Sequence, residues 1–245
     1  MCCWMLGENS EKALEATYGL IASEEMSEET RVEEFRDLVK RANESLGEDN
    51  PVTLDALNDL GEALNDTGQF EEAQKILEES FAATERMLGP DHWKTLSMNN
   101  LGNVFLESRK GEKALEIYLQ CLKRKETTLG KTHPATLETV ANIAMSYDDG
   151  LKQYDKAMEY YARAMKGWEM IFGKDHSDTR GCARNYRDCL NKRAEEMVKY
   201  AEEIEGGFPG LDEDSDDVVE SEEEIGQLAA IRQSCARLAA IRQHG

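Results

Sequence analysis

Leucines and other apolar residues return along this chain with a helical period, and the stripes break at regular intervals. Leu54, Leu57, Leu60 and Leu64 are spaced three, three and four apart, which puts them on one side of a helix. Thr67-Gly68-Gln69 interrupts that stripe, and Phe70, Ala73, Leu77, Phe81 and Leu88 resume it. The pattern predicts helix, turn, helix. Between such pairs the same phrase recurs: LGEDNPVTL from Leu46, LGPDHWKTL from Leu88, LGKTHPATL from Leu129 and FGKDHSDTR from Phe172. A worn copy, LGENSEKAL, starts at Leu6, so the intervals are 40, 42, 41 and 43 residues. Five phased copies define a repeat protein, and no stretch has the alternation of a strand.

The phrase itself reads as a turn. Its glycine (Gly47, Gly89, Gly130, Gly173) suits a helix C-terminus with positive φ. Asn50 before Pro51, and His133 before Pro134, read as N-caps followed by proline at the first helical position. Small residues fall where paired helices must approach closely: Gly61, Gly102 and Ala144 in the first helices, Ala73, Ala114 and Ala157 in the second. A larger side chain there would overpack the contact. Neither helix of a unit can bury its stripe alone, so neighbouring units must stack into a curved solenoid.

These residues resemble the tetratricopeptide repeat: Leu57-x-x-Leu60-Gly61 … Gly68 … Ala73, then Met98-x-x-Leu101-Gly102-x-x-Phe105 … Ala114 … Tyr118, then Val140-x-x-Ile143-Ala144-x-x-Tyr147 … Ala157 … Tyr161. The period near 42 and the Asn-rich first helix (Asn99-Asn100-Leu101) are similar to the kinesin light chain subtype. Three departures stand out. The third copy has Lys110 and Gly111 where a turn glycine and an aromatic are expected, the fourth carries one extra residue in GLKQYDKA, and the fifth loses its second-helix signature after Asn185.

The resulting expectation is an all-α, right-handed superhelical solenoid. It has a degenerate repeat or cap over 1–45 and three full repeats over 46–87, 88–128 and 129–171. A degenerate repeat or capping helix follows over 172–205, then an acidic disordered linker over 206–226 and a short amphipathic helix over 227–245. In that last segment LAAIRQ occurs twice, at Leu228 and Leu238.

The formal charge of −21 is unevenly spread. Residues 6–45 carry 11 acids and 5 bases, and residues 46–87 carry 11 and 2. Residues 88–201 carry 16 acids against 19 bases, and residues 202–245 carry 12 against 3. Nucleic acid is a poor partner for such a chain, because phosphate binding needs a basic face. The run after Gly206 contains no Lys or Arg as far as Glu224, and like charges at that density repel. Ser221, followed by three glutamates, suits an acid-directed kinase.

Six cysteines follow no recurring spacing, and no stretch reaches the ~20 apolar residues of a membrane helix. With no secretory leader evident, the expectation is a cytoplasmic protein with free thiols. His92, His133 and His176 share one phase of the repeat, so each is displaced by a helix pair and they cannot converge on a metal. They are read as capping residues. No phosphate loop, nucleophile elbow or metal motif is present, and the expectation is no catalysis, no cofactor and no metal.

By resemblance, the inner face of the first helices binds partners. The positions implied are Asp59, Asn100, Asn142 and Asn185, with Asn58, Asn99 and Arg184 one residue earlier. Asparagine offers a donor and an acceptor, so a row of them can hold an extended peptide by its backbone. The expected partners are peptide segments of other proteins, a motor or a cargo protein among them. The alternative is an acidic-tailed chaperone or docking protein for basic partners.

Overall fold

The computed structural model describes residues 9–23, 25–89 and 98–205, all of it helix and short turns with no strand among them. The helices are α1 (Glu11–Ser23), α2 (Glu28–Leu46), α3 (Pro51–Asp66), α4 (Phe70–Leu88), α5 (Met98–Glu107), α6 (Gly111–Thr128), α7 (Pro134–Met145), α8 (Tyr154–Phe172) and α9 (Ser177–Glu205), with a π-helical turn over Ser146–Gly150 after α7. Each packs mainly on its neighbours in sequence, as an array of helix pairs should, and the first helices α1, α3 and α5 also touch one another in turn.

The caps are those the phrase predicts. Asn50 Oδ1 accepts from the Val52 N–H at 2.9 Å, and His133 Nδ1 accepts from the Ala135 N–H at 3.2 Å. His176 Nδ1 does the same with the Asp178 N–H at 3.3 Å. Gly47, Gly89, Gly130 and Gly173 all have φ between 83° and 92°, a region an L side chain enters only with strain. The threonine of the phrase closes three of these turns. Thr53, Thr136 and Thr179 are buried and donate their hydroxyls to the carbonyls of Gly47, Gly130 and Gly173 at 2.9, 2.8 and 2.9 Å. His92 lies outside the described residues, as do Cys2, Cys3, Cys235, Ser221 and the two segments over 206–226 and 227–245.

Within the pairs, the small residues do what the spacing requires. Ala73, Ala114, Ala144 and Ala157 are fully buried. A Cβ added at Gly102 would lie 2.4 Å from the Tyr118 ring, and one at Gly61 would lie 2.5 Å from Leu77. The core runs continuously from Leu14 through Leu60, Leu101 and Ile143 to Cys189. Ion pairs tie successive second helices together on the outer side. Arg36 pairs with Glu72 at 2.8 Å, Arg124 with Glu85 at 3.0 Å, and Arg163 with Glu126.

The departures in the sequence have structural reasons. In the third copy Arg109, rather than Lys110, takes the left-handed conformation (φ 61°) that Gly68 adopts at φ 74°. Gly111 replaces an aromatic because the backbone of Gly150 passes beside it, where an added Cβ would lie 2.9 Å from the Gly150 Cα. The extra residue of the fourth copy is absorbed in the π-turn rather than in the loop. The closing bond there runs from Gln153 N–H to Tyr147 O at 2.7 Å, six residues back, against five for Gln69 to Leu64 and Lys110 to Phe105.

Candidate functional site

The first helices α3, α5 and α7 carry the asparagines expected to form a row. Its members differ in their surroundings. Asp59 is half-buried and accepts from the Tyr18 hydroxyl at 2.8 Å and from Asn58 Nδ2 at 3.2 Å. Burial raises its pKa above the ordinary carboxylate value, although those two hydrogen bonds pull the other way. Glu62, one turn on, is raised for the same first reason, with Asp59 and Asp66 adding repulsion. Asn100 donates to Asn58 Oδ1 at 3.4 Å and to Glu62 Oε2 at 3.5 Å. Asn142 donates to Asn103 Oδ1 at 3.4 Å. These contacts are long enough to be weak and easily exchanged for a ligand's groups.

Asn99 is different. It is only 6% exposed, and its Oδ1 accepts the Thr139 hydroxyl of the next repeat at 3.0 Å. Thr139 in turn accepts from the buried Lys125 ammonium at 3.0 Å, and Lys125 also donates to Ala135 O at 3.2 Å. Asn99 therefore belongs to a buried polar joint between repeats and offers nothing to a groove. The sequence reading missed Asn103, which occupies the row in its place. It is half-buried, accepts from the Tyr118 hydroxyl and from Asn142, and is one turn beyond Asn99. The paired motif Asn99-Asn100-x-x-Asn103 held the signal.

At the far end, Arg184 is exposed and Asn185 half-buried on α9. The same helix carries Lys192, which donates to Asp148 at 3.0 Å and Asp149 at 2.6 Å in the π-turn. Burial opposes the Lys192 charge, but these hydrogen bonds outweigh it and its pKa is raised. Burial likewise raises Asp148, with Lys192 opposing. Of the expected set, the carboxylate Asp59 is thus on α3 and the guanidinium of Arg184 on α9. Among the described residues no group of His, Cys, Asp and Glu could hold a metal, and no helix is long and apolar enough to cross a membrane. Cys121, Cys182 and Cys189 are free thiols buried in the core.

A solenoid of helix pairs with a polar inner row defines a protein-interaction scaffold. The sequence profile of the tetratricopeptide repeat matches residues 32–86, 52–127 and 93–169, and the chain belongs to that family. Its fold is that of the kinesin light chain-like repeats. A putative kinesin light chain of Podosopora anserina with nearly identical repeats superposes with a TM-score of 0.60, covering 90% of this chain and 93% of that one at 18% identity. BtubC (BKLC) from P. vanneervenii gives a TM-score of 0.53, covering 94% of this chain and 92% of that one at 17% identity. Two relatives are similar in sequence over 103 residues, 42% of this chain. The secreted RxLR effector protein RXLR-C07 of Plasmopara halstedii is 32% identical, and the RxLR effector protein SFI4 of Phytophthora infestans (strain T30-4) is 29% identical. The match covers 32% and 30% of their lengths, so the chain spans about a third of the curated relatives it matches.

Proposed function

We propose that this scaffold holds extended peptide segments of partner proteins along the row Asn58, Asn100, Asn103 and Asn142, between Asp59 at one end and Arg184 and Asn185 at the other. The observation that carries the reading is the weakness of the amide contacts along the row. At 3.4–3.5 Å they leave the asparagine groups available to a peptide backbone. The binding unit comprises the repeats over 46–87, 88–128 and 129–171, flanked by α1–α2 and α9. The chain acts by binding rather than catalysis, and a motor or cargo protein in the cytoplasm is the narrower form of the proposal.

The test replaces Asn100 and Asn142 with Ala and measures affinity for a partner recovered on the immobilised full chain. Two lost hydrogen bonds, each worth about 0.5–1.5 kcal/mol, weaken binding roughly ten- to a hundredfold. Unchanged affinity with unchanged helix content by circular dichroism refutes the groove.

A second reading follows from the relatives, which are named RxLR effectors, one of them secreted. This chain would then be the protein-binding part of such an effector, with the same row at work. Fractionating cells and medium of the source organism separates the two, since only the effector reading puts the protein in the medium.

A further inference from the structure

The outer face of α9 differs from the same face of α3 and α7. At the phase fourteen residues after the turn glycine, α3 has Gly61, which lies against Leu77 of its own second helix. The corresponding residue of α7 is Ala144, fully buried. In α9 that phase is Arg187, and it is exposed. Arg180 and Arg184, seven and three residues earlier, are also exposed, so the three guanidiniums share one side of the helix. Of the other bases of α9, Lys192 is committed to Asp148 and Asp149, and Arg193 to Asp155 at 2.6 Å. Among the described residues, Arg180, Arg184 and Arg187 form no ion pair or hydrogen bond with a carboxylate. Among the described residues no second helix follows α9, and an arginine row with that charge density on its outer face is a surface for a polyanionic chain.

We infer that the occupant is the chain's own acidic segment, Asp212–Glu224, lying back along the outer face of α9. Two observations select it. The first is charge: between Gly206 and Glu224 the sequence has nine acids and no base. The second is reach. A helix rises about 1.5 Å per residue, so Arg187 lies roughly 27 Å back from Glu205 and Arg180 roughly 38 Å. An extended chain covers about 3.3 Å per residue, so with residues 206–210 turning the chain back, Asp217 and Glu222, seven and twelve residues beyond Gly210, reach roughly 23 and 40 Å along α9. The acids between them therefore arrive opposite the arginines. Glu196, nearer the end of α9, repels the segment and favours its settling on the arginines beyond. The contact is electrostatic; it shares Arg184 with the basic end of the proposed row and uses none of the row's asparagines.

The experiment is nuclear magnetic resonance on the isotopically labelled full chain, following the backbone amides of 212–224 at 20 mM and 500 mM NaCl. In the native chain those signals move with salt, because screening lowers the docked fraction at least threefold. In R180E/R184E/R187E they sit, already at 20 mM, where the native signals sit at 500 mM. The variant R180K/R184K/R187K keeps most of the salt response. Coincident tail signals in the native chain and the glutamate variant at low salt overturn the proposal. So does a response that disappears on tenfold dilution, since the occupant is then a second copy. If the glutamate variant fails to fold, the native arginine Nε signals decide. Their movement with salt, in step with the tail, supports docking, and fixed positions refute it.

Discussion

Gly102 offers a measurement that joins the packing of the array to its inner row. Replacing it with alanine sets a Cβ 2.4 Å from Tyr118 Cε1, 2.7 Å from Cζ and 2.8 Å from Cδ1. The Tyr118 ring is fully buried and its hydroxyl is fixed on Asn103 Oδ1, so it cannot swing aside without breaking that bond. Overpacking of this kind costs about 1–3 kcal/mol, and losing the hydrogen bond adds about 0.5–1.5 kcal/mol. The better helix propensity of alanine offsets about 1 kcal/mol. The net loss is then about 1–3 kcal/mol, or roughly 3–10 °C in the thermal midpoint of a domain this size. The assay is thermal and urea unfolding followed by circular dichroism, with Gly19→Ala as the control. Gly19 is exposed in α1 with nothing within 4 Å of an added Cβ, so there the propensity gain of ~1 kcal/mol stands alone. Because Asn103 also receives Asn142, displacing Tyr118 disturbs the row as well, and partner affinity falls with stability. A Gly102→Ala chain as stable as the native one would refute the close-approach argument, and so would equal effects at the two glycines.

Three further outcomes follow. Thr139→Val removes an acceptor from the Lys125 ammonium and a donor from Asn99, which costs about 2–4 kcal/mol in urea unfolding. Adding Lys125→Met recovers part of that loss, and strictly additive losses would deny the coupling. Asp59 has a folded pKa raised by burial, so its contribution to stability is complete below the unfolded value near 4 and is lost as pH rises through the folded value. Asp59→Asn therefore gains relative to the native chain between that window and neutrality, and a difference in urea midpoint that ignores pH from 4.5 to 7 contradicts this. Burial pushes the Cys182 thiol up to about 11 and Cys189 up to about 12, with Asp148 adding to the latter. At pH 8 the Cys182 thiolate fraction is then about one in a thousand. Iodoacetamide should leave both unmodified in the folded protein and label them in urea, as peptide mass mapping will show.

The local signals in the sequence were sufficient for the helices, their ends and their order. Capping, positive φ and the apolar period are properties of a few adjacent residues, so Asn50, His133, Gly47 and Leu54 through Leu64 could be read without a neighbour. The family followed from the phase of those signals. The role of each polar residue at a given phase could not be read this way. Asn58 and Asn99 hold equivalent positions in successive repeats, three residues ahead of Gly61 and Gly102, yet only Asn99 is buried. What buries it is Thr139, 40 residues on, and Lys125 behind that, both supplied by other helices. Asp59 is likewise half-covered by Tyr18, 41 residues before it. The extra residue of the fourth copy was visible as a count, but its place in a π-turn depended on Gly111 and Gly150 meeting backbone to backbone. A repeat sequence sets which residues lie on a face; the adjoining repeat decides whether that face meets water, a partner or a buried hydroxyl, because desolvation is a property of the contact and not of the strand of chain that enters it.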